Sequence, residues 1–268
     1  MTNQSIFIAW RSRNENDDGQ WGPVGRLDRV PDGYRFVYTR GAKMLPGFSP
    51  FPGMDDLNAE YISDELFPLF TNRLLAKSRP EYEAFLRWSG FDGFDRNNPP
   101  DPIALLGVTE GRRATDSLEL FTCPQPDESG CFVSKFFLHS IRRMPAPARE
   151  RLNTLKTGDS LGLMVDFQNR HDPYAVAVRT CDDYDRYMIG HVPRYLARDV
   201  LFLIYRCAVK NIRLTVERVN EDAPMQQRLL CRMNACWPAG YRPCAGEEFK
   251  PLPVHQFQGT SEMAFQGS

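Results

Sequence analysis

The chain of 268 residues has no long hydrophobic run. Its richest apolar stretch, residues 200–205, is closed by Asp199 and Arg206. That is far short of the ~18–20 residues a membrane-spanning helix needs. The N-terminus, Met1-Thr2-Asn3-Gln4-Ser5, lacks the basic start and apolar core of a secretory signal. The seven cysteines are odd in number and irregularly spaced, so no disulfide framework is expected and a reducing cytoplasm is inferred. Histidine is scarce: His139, His171, His191 and His255 are too few and too scattered for a strong metal site. There is no Gly-x-x-x-x-Gly-Lys-Ser/Thr loop to cradle a nucleotide triphosphate, which excludes a helicase motor. A Gly-x-Ser-x-Gly elbow and a His-Glu-x-x-His pair are also missing. An enzyme is therefore not expected.

What the chain does have is the balance of a globular protein, 42% hydrophobic and 25% charged. Its formal net charge of -1 conceals an asymmetry. Residues 1–132 carry 14 Lys+Arg against 20 Asp+Glu, whereas residues 133–250 carry 19 against 13. A basic half beside an acidic one is what a polyanion-binding domain with a non-binding companion would show. A two-domain chain can also acquire such a swing without any such partner.

The first half reads as strands at residues 5–10 and 34–38, from the alternation of apolar and other side chains. Residues 45–56, with Pro46-Gly47 and Pro52-Gly53, are turn chemistry. A helix is expected over 63–76, with Phe67, Phe70 and Leu74 packing into the core. A second helix is expected from the capping box Ser78-Arg79-Pro80-Glu81 to Gly90. Residues 92–102 read as a loop, 118–122 as a strand and 124–130 as a polar spacer. The second half is denser in strands, at 135–140, 160–166, 175–180, 186–192, 211–217 and 227–233. Helices are expected near 146–155 and from Pro193, where Leu196, Val200, Leu203 and Cys207 recur at i, i+4, i+7 and i+11. Short strands with turn signals and few helices point to a small closed or partly open barrel.

Three segments carry the functional reading. Phe137-Leu138-His139-Ser140-Ile141-Arg142-Arg143 is a strand ending in arginines. Residues 161–178 place Gln168-Asn169-Arg170-His171-Asp172 before an Ala-Val-Ala-Val strand. Met188-Ile189-Gly190-His191-Val192-Pro193-Arg194-Tyr195-Leu196-Ala197 is the third. In order and spacing they resemble the HIRAN domain, a small barrel found alone in bacterial proteins and fused to remodelling helicases in eukaryotes. The resemblance implies binding of single-stranded DNA, with capture of a free 3′ end in a pocket on the barrel.

Carried over by residue, it implies that Arg142 faces the strand's phosphate or terminal base. Asn169 and Asp172 form the polar pair of the central loop, Asp172 bonds the terminal hydroxyl, and His191 sits at the rim. Arg194 stands where a basic residue is common. The chain departs from the eukaryotic pattern at His171 and at Arg143-Met144, which replace aromatic residues; Tyr174 and Tyr195 are nearby and can supply a stacking platform. Chemically the set is coherent. A carboxylate only accepts, so it suits a sugar hydroxyl and repels a phosphate. Arginines neutralise phosphates and stack on bases, and the helix opening at Pro193 adds N–H groups. Plainer roles stay open. Asn169 and Asp172 can brace a turn, His191 can be a strand-end residue bonded to backbone, and Arg143 and Arg194 can be solvated charges.

Gly25-Arg26-Leu27, residues 34–38 and residues 65–75 resemble the N-terminal segment of HipA-type kinases, a structural piece without the kinase core. The whole looks like a bacterial stand-alone architecture. Two metal readings are weaker. Cys231, Cys236, Cys244 and His255 could bind zinc, and Asp182, Asp183 and Asp185 could serve a metal-dependent nuclease. The expected fold is thus α+β: an acidic β-rich domain with helices (1–130), a small OB-like or SH3-like barrel with short helices (131–250) and a flexible tail (251–268). The expected function is cytoplasmic, non-catalytic recognition of single-stranded DNA or other nucleic acid, in repair, replication or mobile-element defence, without a cofactor and without a membrane. The alternative is a protein-interaction adaptor that keeps the barrel without DNA binding.

Overall fold

The computed structural model describes residues 5–12, 20–113, 116–182, 186–207 and 211–253. The first half forms a five-stranded antiparallel sheet from β1 (Ser5–Arg11), β2 (Trp21–Val30), β3 (Gly33–Tyr38), β4 (Glu60–Ser63) and β5 (Leu118–Phe121), in the order β4-β3-β2-β1-β5. Helices α1 (Gly41–Met44), α2 (Pro68–Thr71), α3 (Tyr82–Trp88) and α4 (Pro102–Thr109) lie between β3 and β5 in sequence. The long helix expected over 63–76 does not form. Ser63 ends β4 and only one turn, α2, follows, opened by Pro68 at a position that needs no N–H. Phe70 is nevertheless fully buried, with Phe67 and Leu74 packed against the same cluster. The expected capping box is not used either. Helix α3 begins at Tyr82, and no side chain caps it.

The second half forms a six-stranded antiparallel sheet: β6 (Cys131–Phe137), β7 (Ser160–Val165), β8 (Val176–Thr180), β9 (Met188–His191), β10 (Arg213–Val219) and β11 (Leu229–Cys236), ordered β6-β11-β10-β7-β8-β9. The two outer strands meet. His139, just past β6, exchanges both backbone hydrogen bonds with His191 at the end of β9, at 2.9 Å each. The sheet thereby curls into a barrel. Gly190 makes this closure possible, because a Cβ there would lie 2.5 Å from the His139 carbonyl oxygen and 2.7 Å from Leu138 Cγ. Helix α5 (Ala146–Asn153) follows the 3₁₀ turn Ile141–Arg143, and α6 (Arg194–Arg206) follows β9. Leu196, Val200 and Leu203 of α6 are buried, which is the apolar stripe the sequence shows.

The halves share a core. Phe7, Ala9 and Phe121 of the first sheet pack in one cluster with barrel residues such as Leu138, Tyr195 and Val200. The ring of Phe121 stacks on Tyr195 at 4.6 Å between centroids, 9° from parallel. Beyond β11 the chain returns to the first sheet. Arg40 N–H donates to the Lys250 carbonyl, Leu252 N–H donates to the Tyr38 carbonyl, and Leu252 is buried. Residues 237–253 are therefore a strap across both sheets, although the sequence reading assigns 131–250 to the barrel and 251 onward to a tail. Residues 254–268 lie outside the described part.

Two cysteine expectations change here. Cys131 and Cys236 face each other across β6 and β11 and are joined by a disulfide. Cys231 and Cys236 are five apart on one strand, so they point to opposite faces. Cys231 lies in the core, where burial pushes its thiol pKa up. The proposed zinc series is not brought together, and His255 is outside the described residues.

Candidate nucleic-acid interface

The loop between β7 and β8 is braced by its own side chains. Asn169 Oδ1 accepts from the backbone N–H groups of His171 and Asp172, both at 3.1 Å, and Asp172 Oδ1 accepts from Tyr174 N–H at 3.0 Å. Such turns explain why Asn and Asp stand here. The plainer reading of Asn169 is thus what its side chain does, and Asp172 does it with one oxygen. Asn169 Nδ2 donates at 3.0 Å to Asp166 Oδ2, and His191 Nε2 lies 3.1 Å from the same oxygen. The hydrogen bond from Asn169 holds the Asp166 carboxyl below its usual range, against partial burial and with help from His191. His191 Nδ1 is buried with no hydrogen-bond partner among the described residues. A buried ring nitrogen without a partner is costly unless water or a ligand reaches it.

The other expected residues fall around this loop. His171 and Tyr174 are both exposed. Arg142 and Arg143 are exposed on the 3₁₀ turn that follows His139, at the end of the barrel where the sheet closes. Neither pairs with a carboxylate among the described residues, while Met144 beside them is buried. The Arg142 carbonyl accepts from the Arg149 guanidinium at 3.4 Å. Arg194 opens α6 and is half-buried, its guanidinium 5.7 Å from the Trp21 ring centroid. Burial pulls its pKa down, and the charge of Asp172 opposes this. Tyr195 is not a surface platform. It is buried, and its hydroxyl donates to Glu110 at 3.1 Å.

Asp172, Tyr174 and Arg194 line a groove of about 960 Å3 together with Trp21, Met44 and Leu45 of the first half. Behind it, Glu110 and Glu119 meet His139, with ligand atoms within 4.8 Å of one another. This set could hold a cation, but the Arg112 guanidinium already lies 3.6 Å from Glu110 and 3.3 Å from Glu119. The geometry is that of an ion-pair network. Asp182 is likewise engaged, by Arg151 at 2.6 Å, and Asp183 and Asp185 lie outside the described residues.

Three residues escaped the sequence reading. Asp166 gave a signal, standing three positions before Asn169 in an Asx spacing. Phe167 is 81% exposed at the edge of the braced loop, where an unburied aromatic ring is informative. Trp21 is separated by about 150 residues from the loop it approaches, and nothing local announces it.

Residues 131–234 match the family model of the HIRAN domain. Two solved structures are similar to part of the chain. The HIRAN domain of human HLTF has 14% identity and a TM-score of 0.27 over 39% of this chain and 72% of that one. A protein from Lactobacillus plantarum has 19% identity and a TM-score of 0.29 over 39% and 96%. Comparison with curated proteins gave no match. The family match supports a DNA-binding role, and it spans the braced loop, the Gly190 closure and the paired histidines. The chain carries a HIRAN domain over residues 131–234.

Proposed function

We propose that this protein binds single-stranded DNA and holds a free 3′ end at the loop 166–174, without chemistry of its own. The observation that carries the reading is the convergence of Asp166, Asn169, Asp172 and His191 through shared hydrogen bonds. Arg142 and Arg143, which pair with no carboxylate among the described residues, supply positive charge at the same end of the barrel. Asp172 accepts from the terminal hydroxyl, the arginines meet the backbone phosphates, and His191, through Nε2 on Asp166, fixes the loop from the barrel side. A terminal phosphate would meet the Asp172 carboxylate and be repelled.

The test is an oligonucleotide panel with free and phosphorylated 3′ ends, read by fluorescence anisotropy at several salt concentrations. The expected result is tighter binding of the free end. Asp172→Ala erases that preference while keeping part of the general affinity. Arg142→Ala weakens all single strands alike and flattens the salt slope by about 1. Equal binding of free and blocked ends removes the end-capture mechanism. No binding of any oligonucleotide at low salt favours the adaptor reading instead.

A further inference from the structure

We infer that the groove between the two sheets takes the nucleotides leading up to the strand end, so that the first half of the chain is part of the nucleic-acid site. This rests on the proposed reading of the loop. The groove starts at Asp172 and Tyr174 and runs along α6. Arg194, Arg198, Leu201 and Tyr205 recur at i, i+4, i+7 and i+11, all lining it, on a face other than the buried Leu196-Val200-Leu203 stripe. From Arg194 to Tyr205 the helix rises about 16 Å. That is room for roughly five nucleotides stacked at ~3.4 Å.

The lining is arginine interleaved with aromatic rings, the arrangement that holds single strands without reading their sequence. The Arg194 guanidinium lies 5.7 Å from the centre of Trp21, and that of Arg198 5.6 Å from the centre of Tyr174. Trp21 is fixed in place because its indole N–H donates to Glu119 at 3.1 Å. Tyr205, at the far end, is 64% exposed with its ring open to the groove. The charges are mixed. Glu248 pairs with Arg198 at 3.0 Å, and Asp199 is buried beneath with the Tyr241 hydroxyl donating to it. A groove of this kind attracts bases more than it attracts phosphate. A duplex, whose bases are already stacked on one another, has no use for these rings, which is why a single strand is the occupant that fits.

The experiment compares thymidine oligomers of two and six nucleotides on the full chain, by anisotropy and by tryptophan fluorescence. The hexamer is expected to bind at least ten-fold tighter than the dimer and to quench emission, with the quench lost in Trp21→Phe. Tyr205→Ala and Arg198→Ala are expected to weaken the hexamer by about five-fold or more. Tyr205→Ala leaves the dimer unchanged. Tyr205 is so exposed that its loss does not threaten folding. Equal affinity for both lengths, with no effect of either variant, overturns the groove and leaves the loop reading intact. Hexamer binding that depends on Tyr205 but ignores Asp172→Ala upholds the groove and removes end capture. Absence of binding at either length overturns both.

Discussion

His191 Nε2 meets Asp166 Oδ2 at 3.1 Å, which ties the strand that closes the barrel to the loop that carries Asp172. Asn169 donates to the same oxygen, so one carboxylate orients both the loop and the ring. Asp166→Ala is expected to loosen the loop at a stability cost of about 1 kcal/mol, the ordinary worth of such bonds. The effect on strand binding is expected to be larger, because Asp172 and His191 lose their mutual alignment. Hydrogen exchange at the His171 and Asp172 amides, measured beside oligonucleotide affinity, checks this. The depressed pKa of Asp166 gives the sign with pH. Its contribution is present above the unfolded carboxyl value of ~3.9 and fades as pH falls below that. Loop protection that stays constant from pH 7 to pH 3 contradicts the assignment.

Phe167 buries almost nothing, so packing gives no reason for a phenylalanine there. Phe167→Ala is expected to leave the thermal midpoint unchanged and to cost roughly 1–3 kcal/mol of single-strand affinity, the value of one stacked base. Phe167→Trp is expected to retain or improve binding. If both variants bind as the wild type does, the ring has no part in recognition.

Glu110 links the first half to the second through His139 and Tyr195. It ends α4 in a left-handed conformation, φ 61°, and is buried. His139 Nε2 lies at 2.8 and 2.9 Å from its two oxygens, and Tyr195 donates to one of them. Burial alone would raise the Glu110 pKa, yet the charges and hydrogen bonds of His139, Arg112 and Tyr195 bring it below the ordinary value. Removing one partner of a buried set leaves the others uncompensated, so Glu110→Ala is expected to cost about 3–5 kcal/mol. Because the folded pKa is depressed, this stability is present above the unfolded value of ~4.3 and is lost as pH falls through the folded one. Denaturant titrations at pH 7 and pH 4 should show the gap between wild type and variant narrowing at the lower pH. A constant gap would falsify the ionised role.

The barrel was legible because its strands alternate and because α6 repeats apolar residues at helical spacing. The first sheet was harder. Its longest strand, β2, is punctuated by Gly22, Pro23 and Gly25, which read locally as a break. Gly25 is instead required, since a Cβ there would lie 2.5 Å from the Phe36 ring. Helix α4 was hidden in a Pro/Asn-rich stretch, although Asp101 caps it by accepting from Ile103 and Ala104 N–H groups. In the site, the loop motif singled out Asn169 and Asp172, and the structure shows them bracing the turn; the sequence does not separate that work from facing a ligand, because both call for the same Asn and Asp. The groove could not be read at all. Trp21, Tyr205 and the strap meet only through the tertiary fold, and no local pattern encodes that meeting.

Asp199 offers a test of the groove floor that does not depend on nucleic acid. It is 7% exposed, and its pKa is pushed up to about 6, first by burial, with Tyr241 and Arg198 pulling it down and Glu248 pushing it further up. A carboxyl whose folded pKa exceeds the unfolded ~3.9 stabilises the fold most when protonated. Its contribution is full below pH ~4 and declines as pH rises to about 6. The two-unit displacement corresponds to a loss on the order of 3 kcal/mol across that window. Asp199→Asn keeps an acceptor for the Tyr241 hydroxyl and cannot ionise. The difference in unfolding free energy between wild type and variant should therefore shift in favour of Asp199→Asn between pH 4 and pH 6, then stay level to pH 8. Taking the difference matters, because Asp166 and Glu110 have depressed pKa values and drive the absolute stability the other way at low pH. Parallel curves for the two proteins would mean that Asp199 has the same pKa folded and unfolded, so that the groove gains its negative charge beside Arg198 already near pH ~4.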